Sequence, residues 1–68
     1  MSLAEEDRIA LARAAERLEE VARALGDPDA PPEEVRRLAE RALVLSAEIG
    51  ERLPRVLRQA EEAAESGG

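Results

Sequence analysis

The stretch Gly26-Asp27-Pro28-Asp29-Ala30-Pro31-Pro32-Glu33-Glu34 decides how this chain folds. Gly26 can adopt the left-handed conformation that ends many helices, and Pro28 cannot extend a helix. Residues 26–31 are almost all turn formers, and a residue that precedes proline avoids the helical region. Pro32 in turn suits the first position of a new helix. The stretch therefore predicts a short turn that joins two antiparallel helices, as in an αα-hairpin.

The residues before this turn predict a first helix over about residues 3–25. Ser2, with Glu5 three residues later, forms the capping-box pattern that starts helices. Steps of 3 and 4 then alternate along one seam, as expected for a helix that packs in a bundle. The seam consists of Ala4, Asp7, Leu11, Ala14, Leu18, Val21 and Leu25.

Asp7 is the only charged residue of this seam, and it should lie near Gly50 of the antiparallel helix. Two interpretations of Asp7 stay open. It could be a buried general base or a polar residue that sets the register of the helices. The blander interpretation places it at a frayed helix end, stabilised by the helix dipole or by Arg52 or Arg55.

The residues after the turn predict one long helix over about residues 32–66, bent near Pro54. No Ser, Thr, Asp or Asn occurs from residue 47 to residue 65 to cap a new helix, and the apolar stripe keeps its phase. Proline crowds the carbonyl four residues earlier, which here belongs to Gly50. The stripe contains Val35, Leu38, Ala42, Leu45, Ile49, Leu53, Val56, Ala60 and Ala63. Its consecutive steps of 4 from Leu45 to Leu53 predict a local stutter.

The two helices differ in length, so the hairpin should be incomplete by itself. At 1.5 Å per residue they measure about 35 and 52 Å, part company near residue 54 and leave the last 12 residues overhanging. Either the kink folds this overhang across the start of helix 1, or another subunit covers it. A second apolar row widens the apolar arc of helix 2 to roughly 200°, more than one partner helix covers. That row contains Leu43, Ala47, Gly50, Pro54 and Leu57.

These features predict an oligomeric helical bundle whose subunit number the sequence leaves open. The expected interface residues are Leu43, Ala47, Ile49, Leu53, Val56, Leu57, Ala60 and Ala64. Ile9 and Val44 are isolated apolar residues on polar faces, and a role for them in an interface stays open.

Composition limits both the fold class and the function. Ala, Glu, Arg and Leu supply 46 of the 68 residues and aromatic residues are absent, so the chain is predicted to be one all-α domain. Without Cys or His, disulfides and imidazole or thiolate metal sites are excluded. The net charge of -6 argues against nucleic acid and anionic lipid as partners. We expect a soluble protein without a targeting signal, with no cofactor, no small-molecule ligand and no enzymatic activity.

The whole chain resembles de novo designed α-helical proteins in style. The resemblance rests on the helix caps, the proline-rich connector 27–34, the Arg/Glu/Ala/Leu surface and the closing Ser66-Gly67-Gly68. It implies a symmetric homo-oligomer without biochemical activity, or a binder made for a chosen target. Gly50 and Pro54 depart from an idealised helix, which indicates either an intended curvature or a natural origin. The expected function is structural self-assembly; the alternative is a helical module that grips a different protein through the apolar surface of helix 2.

Overall fold

Two helices packed against each other make up the computed structural model, which describes residues 2–67. Helix α1 spans Leu3–Leu25 and helix α2 spans Pro32–Gly67, with residues 26–31 between them. Asp7 contacts Gln59 while Val21 lies beside Leu38, so the helices run antiparallel. The all-α hairpin predicted from the sequence is confirmed.

Helix α1 starts where the capping pattern places it. The Ser2 backbone is extended, and its Oγ accepts a hydrogen bond of 3.2 Å from the backbone N–H of Glu5. This bond satisfies one of the N–H groups that lack a partner in the first helical turn. Helix α2 starts with Pro32, and its first backbone bond runs from the Val35 N–H to the Pro31 carbonyl at 3.0 Å.

Helix α1 ends differently from the prediction. Gly26 has φ -80° and ψ -4°, so the left-handed terminator expected at this residue is wrong. Its N–H donates to the carbonyls of Ala22 and Arg23, which tightens the last turn. The carboxylate of Asp27 then accepts a bond of 2.9 Å from the Asp29 N–H, an Asx turn around Pro28. The turn chemistry of Asp27 and Pro28 therefore ends the helix without a left-handed glycine.

A small aliphatic core lies at the middle of the hairpin. Its buried side chains are Ala14, Val21 and Leu45. Partly buried apolar residues surround them: Leu18, Leu25, Leu38, Ala42 and Ile49. A core of this size gives a 68-residue chain little reserve of stability.

The face of α2 that packs on α1 takes a different path from the predicted stripe. Steps of 4 and 3 alternate along it without a stutter, so the stutter between Leu45 and Leu53 is wrong. Leu53 is 49% exposed and Ala60 is exposed, whereas Arg52 and Gln59 are half-buried. The contact path consists of buried or half-buried residues, with Glu48 half-buried beside it: Leu38, Ala42, Leu45, Ile49, Arg52, Val56 and Gln59. A regular 3.5-residue repeat is kept because polar side chains of α2 find a polar partner on α1.

Helix α1 reaches further along α2 than predicted from the helix lengths alone. Ala4 shares a groove with Ala60 and Ala64, so the parting point near residue 54 is wrong. The estimate started both helices at one level, whereas Val21 lies beside Leu38 and Arg41, about one turn beyond that alignment. The exposed end of α2 therefore begins near residue 60, and residues 60–66 are all exposed.

Pro54 lies inside one continuous helix, as predicted. The longest dimension of the molecule is 52 Å, close to the 54 Å or so of a straight 36-residue helix. The end of α2 consequently does not fold back across α1. A bend near Pro54 stays a prediction.

Candidate functional site

A polar cluster joins the N-terminal part of α1 to the C-terminal half of α2. Asp7 Oδ1 accepts hydrogen bonds from Arg52 Nη1 at 2.9 Å and from Arg55 Nη2 at 3.3 Å, and Asp7 Oδ2 accepts one from Gln59 Nε2 at 3.3 Å. We call these four residues the Asp7 cluster. Asp7 lies 45 to 52 residues from its three partners in sequence, so only the antiparallel register brings it to them.

Asp7 is held in its ionised form by this arrangement. Its side chain is only 14% exposed. Burial alone would raise the pKa of Asp7, but hydrogen bonds from Arg55 and Gln59, together with the charges of Arg55 and Arg52, outweigh that effect. The pKa of Asp7 therefore lies below its ordinary value of 3.8.

The geometry of the cluster is that of an interhelical clamp. Both carboxylate oxygens of Asp7 are occupied, and Arg52 Nε lies 3.7 Å from Glu48 Oε1, an ion-pair distance. Arg52 Nε and Gln59 Oε1 are buried without a hydrogen-bond partner, so the cluster is not fully satisfied. Over residues 2–67, no group of three or more acidic side chains is close enough together to hold a metal ion.

The sequence predicted part of this cluster. Arg52 and Arg55 are confirmed as partners of Asp7, whereas the frayed-end placement is wrong because the Asp7 side chain is largely covered. The partnership with Gln59 was missed. The sequence did contain a sign of it. If the contact face of α2 keeps its alternating steps of 4 and 3, the step of 3 after Val56 reaches Gln59, the one glutamine of the chain.

An exposed apolar stripe runs along α2 beside the hairpin contact. We call Leu43, Ala47, Gly50, Leu53, Pro54 and Leu57 the outer stripe. All six are exposed, with Leu43 at 72% and Leu57 at 62%. A Cβ added to Gly50 would meet nothing within 4 Å, so this part of the helix is open on its outer side.

The predicted interface residues fall into two groups in the structure. Ile49 packs against the core and Val56 is half-buried beside α1, so the hairpin already uses both. The other six are exposed: Leu43, Ala47, Leu53, Leu57, Ala60 and Ala64. Sequence periodicity could not separate the two groups, because the residues of α2 that contact α1 do not follow the apolar stripe predicted from the sequence.

The two sides of the hairpin differ in polarity. One groove between the helices is lined mainly by small apolar residues, including Ala4, Ala60 and Ala64. The groove on the other side is lined by Arg17, Glu20 and Arg41 beside Val21 and Leu38. At 100° per residue, Leu53 and Leu57 lie on the same side of α2 as Ala64. The outer stripe therefore adjoins the apolar side of the hairpin.

The charged residues between Leu43 and Leu57 lie outside this stripe. At helical spacing, Glu48, Glu51, Arg52 and Arg55 project from the remaining circumference of α2. The outer stripe is thus an uncharged strip about 14 residues long, or roughly 20 Å, within which Ser46 is the one polar residue.

Ile9 and Val44 are also exposed, at 39% and 68%. Ile9 lies in a shallow depression beside Glu5 and Arg8, on the polar face of α1. Val44 is one residue, and hence about 100°, away from Leu43. Neither residue lies on the outer stripe.

No protein-family model matches this chain, and neither a curated protein nor a solved structure is significantly similar to it. Within residues 2–67, neither helix has the combination of length and apolar character that crossing a membrane requires.

Proposed function

We propose that this protein is a structural component that self-associates through the outer stripe into a helical bundle, and that it has no catalytic role. The observation that carries the proposal is the exposure of Leu43, Leu53 and Leu57 on one uncharged strip of α2. Single exposed leucines are normal on a protein surface, whereas a contiguous apolar strip marks an interaction surface.

The energy available from the stripe is of the right order for association. Complete burial of a leucine side chain contributes about 1.5–3 kcal/mol, so each of these half- to three-quarters-exposed leucines would contribute roughly 1–2 kcal/mol. Two copies bring six leucines, which together match the 4–15 kcal/mol or so that association costs in lost freedom. We therefore expect a concentration-dependent equilibrium.

The Asp7 cluster supports a structural role for a separate reason. Both carboxylate oxygens of Asp7 accept hydrogen bonds from α2, from Arg52, Arg55 and Gln59, so this carboxylate holds the two helices together and is not free to act as a nucleophile or a base. Such a cluster fixes the register of the hairpin, since a shift of one residue would move Asp7 away from its partners. A fixed register keeps the outer stripe at a constant position relative to α1.

The test compares Leu43→Glu and Leu57→Glu with Val44→Glu as the matched control. Leu43 and Val44 are neighbours with similar exposure, at 72% and 68%, but only Leu43 belongs to the stripe. We expect the wild type and the Val44 variant to have the same multiple of 7.4 kDa by light scattering, and both leucine variants to be monomers with unchanged helix content.

A wild-type protein that stays at 7.4 kDa up to hundreds of micromolar would contradict self-association. The stripe would then be available to a different protein, which is the alternative function. That alternative has weaker support, because hot spots of such interfaces are enriched in tryptophan and tyrosine and the chain has neither.

A further inference from the structure

The outer stripe, apart from Pro54, has a symmetric spacing about Gly50. Leu43 and Leu57 each lie seven residues from Gly50, and Ala47 and Leu53 each lie three residues from it. We propose that Gly50 marks a two-fold axis, at which the α2 helices of two copies cross in an antiparallel dimer. This proposal rests on the proposed self-association and names its partner and geometry.

A two-fold axis explains the spacing because an isologous interface must be complementary to itself. Residue i contacts residue j of the partner, and residue j contacts residue i in return. With Gly50 on the axis, Leu43 meets the partner's Leu57 on the line where the two helices face each other. Ala47 lies on one flank of that line beside the partner's Pro54, and Leu53 lies on the other flank beside the partner's Ser46. The Leu43–Leu57 pair therefore forms twice, once on each side of the axis, and supplies the apolar centre of the interface.

Gly50 is the residue that such a crossing needs. Helix axes pack 8–10 Å apart, and the distance depends on the side chains at the point of contact. Nothing in the hairpin occupies the space in front of the Gly50 Cα, which is open for 4 Å around an added Cβ. Two glycines facing each other allow the closest approach of the backbones and bring the flanking leucines into contact.

The charges beside the stripe favour the antiparallel orientation. With the axis at Gly50, Arg58 lies near the partner's Glu40, whose own helix already pairs it with Arg36. In a parallel dimer each of these residues would instead face its own copy, with like charges together. Exposed pairs of this kind contribute little to affinity, but they distinguish the two orientations.

Single cysteines test the geometry cleanly because the chain has none. Leu43 and the partner's Leu57 face each other almost directly, so with helix axes 8–10 Å apart their Cα atoms are separated by roughly 4–6 Å, within reach of a disulfide. Leu43→Cys and Leu57→Cys are mixed in equal amounts, refolded together and oxidised, and the products are weighed by mass spectrometry. We expect the mixed disulfide of the two variants to exceed each homodimer at least fivefold.

Predominance of the Leu43→Cys and Leu57→Cys homodimers would indicate parallel helices and overturn the proposed geometry, while self-association would stand. Light scattering on both reduced variants separates that result from a loss of the proposed function. If both reduced variants and the wild type are monomers, self-association itself fails, and the dimer fails with it.

Gly50→Leu gives a second, independent readout. If two copies touch at Gly50, the larger side chain separates the backbones, and the dissociation constant should rise at least tenfold at unchanged helix content. If the helices meet elsewhere along the stripe, an added leucine extends the apolar surface and tightens association. Tighter association of Gly50→Leu would therefore overturn the axis at this residue.

Discussion

Leu45 and Leu43 are two residues apart on α2, yet they have opposite environments. Leu45 is 6% exposed in the core and Leu43 is 72% exposed on the outer stripe. Truncation of a buried leucine to alanine costs about 2–5 kcal/mol. Leu45→Ala should therefore unfold most of the protein, whereas Leu43→Ala should leave the free energy of unfolding of the single hairpin within about 0.5 kcal/mol. Urea denaturation followed by circular dichroism at low protein concentration measures both, and equal losses would contradict this core.

Asp7→Asn should weaken the contact between the helices because it removes the charge that Arg52 and Arg55 share. The matched control is Glu16→Gln, which neutralises an exposed carboxylate of the same helix. We expect a clear fall in the thermal midpoint for Asp7→Asn and almost none for the control. If both variants melt with the wild type, the Asp7 cluster does not stabilise the hairpin.

The ionised carboxylate of Asp7 should also make the stability of the fold depend on pH. The pKa of Asp7 is lowered in the folded protein, so its ionisation stabilises the fold above the ordinary value of 3.8. This contribution disappears as the pH falls from about 4 through the lowered pKa. The wild type should consequently lose more stability between pH 5 and pH 2 than Asp7→Asn does, in paired denaturation curves. Parallel curves would contradict the shift.

The sequence predicted the role of single residues best where the chemistry is local. The Ser2 cap and the first-turn position of Pro32 depend on neighbouring residues and are confirmed. The prediction of a left-handed Gly26 was wrong because Asp27 and Pro28 supply another way to end the helix. Gln59 was missed because its role depends on Asp7, which is 52 residues away.

Helix α2 is continuous through Pro54, and we predict that this proline bends it. Pro54 has no N–H to donate to the carbonyl of Gly50, so one backbone bond is missing on the exposed side of α2. Pro54→Ala restores that bond and should stabilise the helix by up to about 3 kcal/mol and reduce its bend. Spin labels at Glu34 and Glu62 should move apart in the alanine variant. An unchanged distance would show that the proline does not bend α2.

At the scale of elements, periodicity predicted both helices but mistook which face of α2 packs on α1. Apolar residues occupy a wide arc of this helix, so more than one regular path through them exists. The structure selects the path through Arg52 and Gln59, because each of these side chains donates a hydrogen bond to Asp7 of α1. Hydrophobicity alone ranks that path below the one through Leu53 and Ala60, which is why the predicted stutter was wrong. The predicted parting point was wrong for a different reason, because the two helices do not start at the same level.

The whole molecule combines a small core with an exposed apolar stripe, and this imbalance is the basis for the proposed self-association. We expect stability to rise with protein concentration, because a partner that binds only the folded chain stabilises it by mass action. Thermal melts from about 1 to 500 micromolar should show a rising midpoint for the wild type and a constant one for Leu57→Glu. A midpoint that is independent of concentration for both proteins would contradict the proposed assembly.

The elongated form of the hairpin also determines how it would behave in chromatography. Its radius of gyration is 15.8 Å, compared with about 11 Å for a compact chain of the same length and roughly 14 Å for one twice as long. Retention on a sizing column follows molecular dimensions rather than mass, so a single hairpin would elute close to the position of a compact dimer. Stokes radii calibrated with globular standards would therefore overstate the number of copies, even for a chain that remains alone.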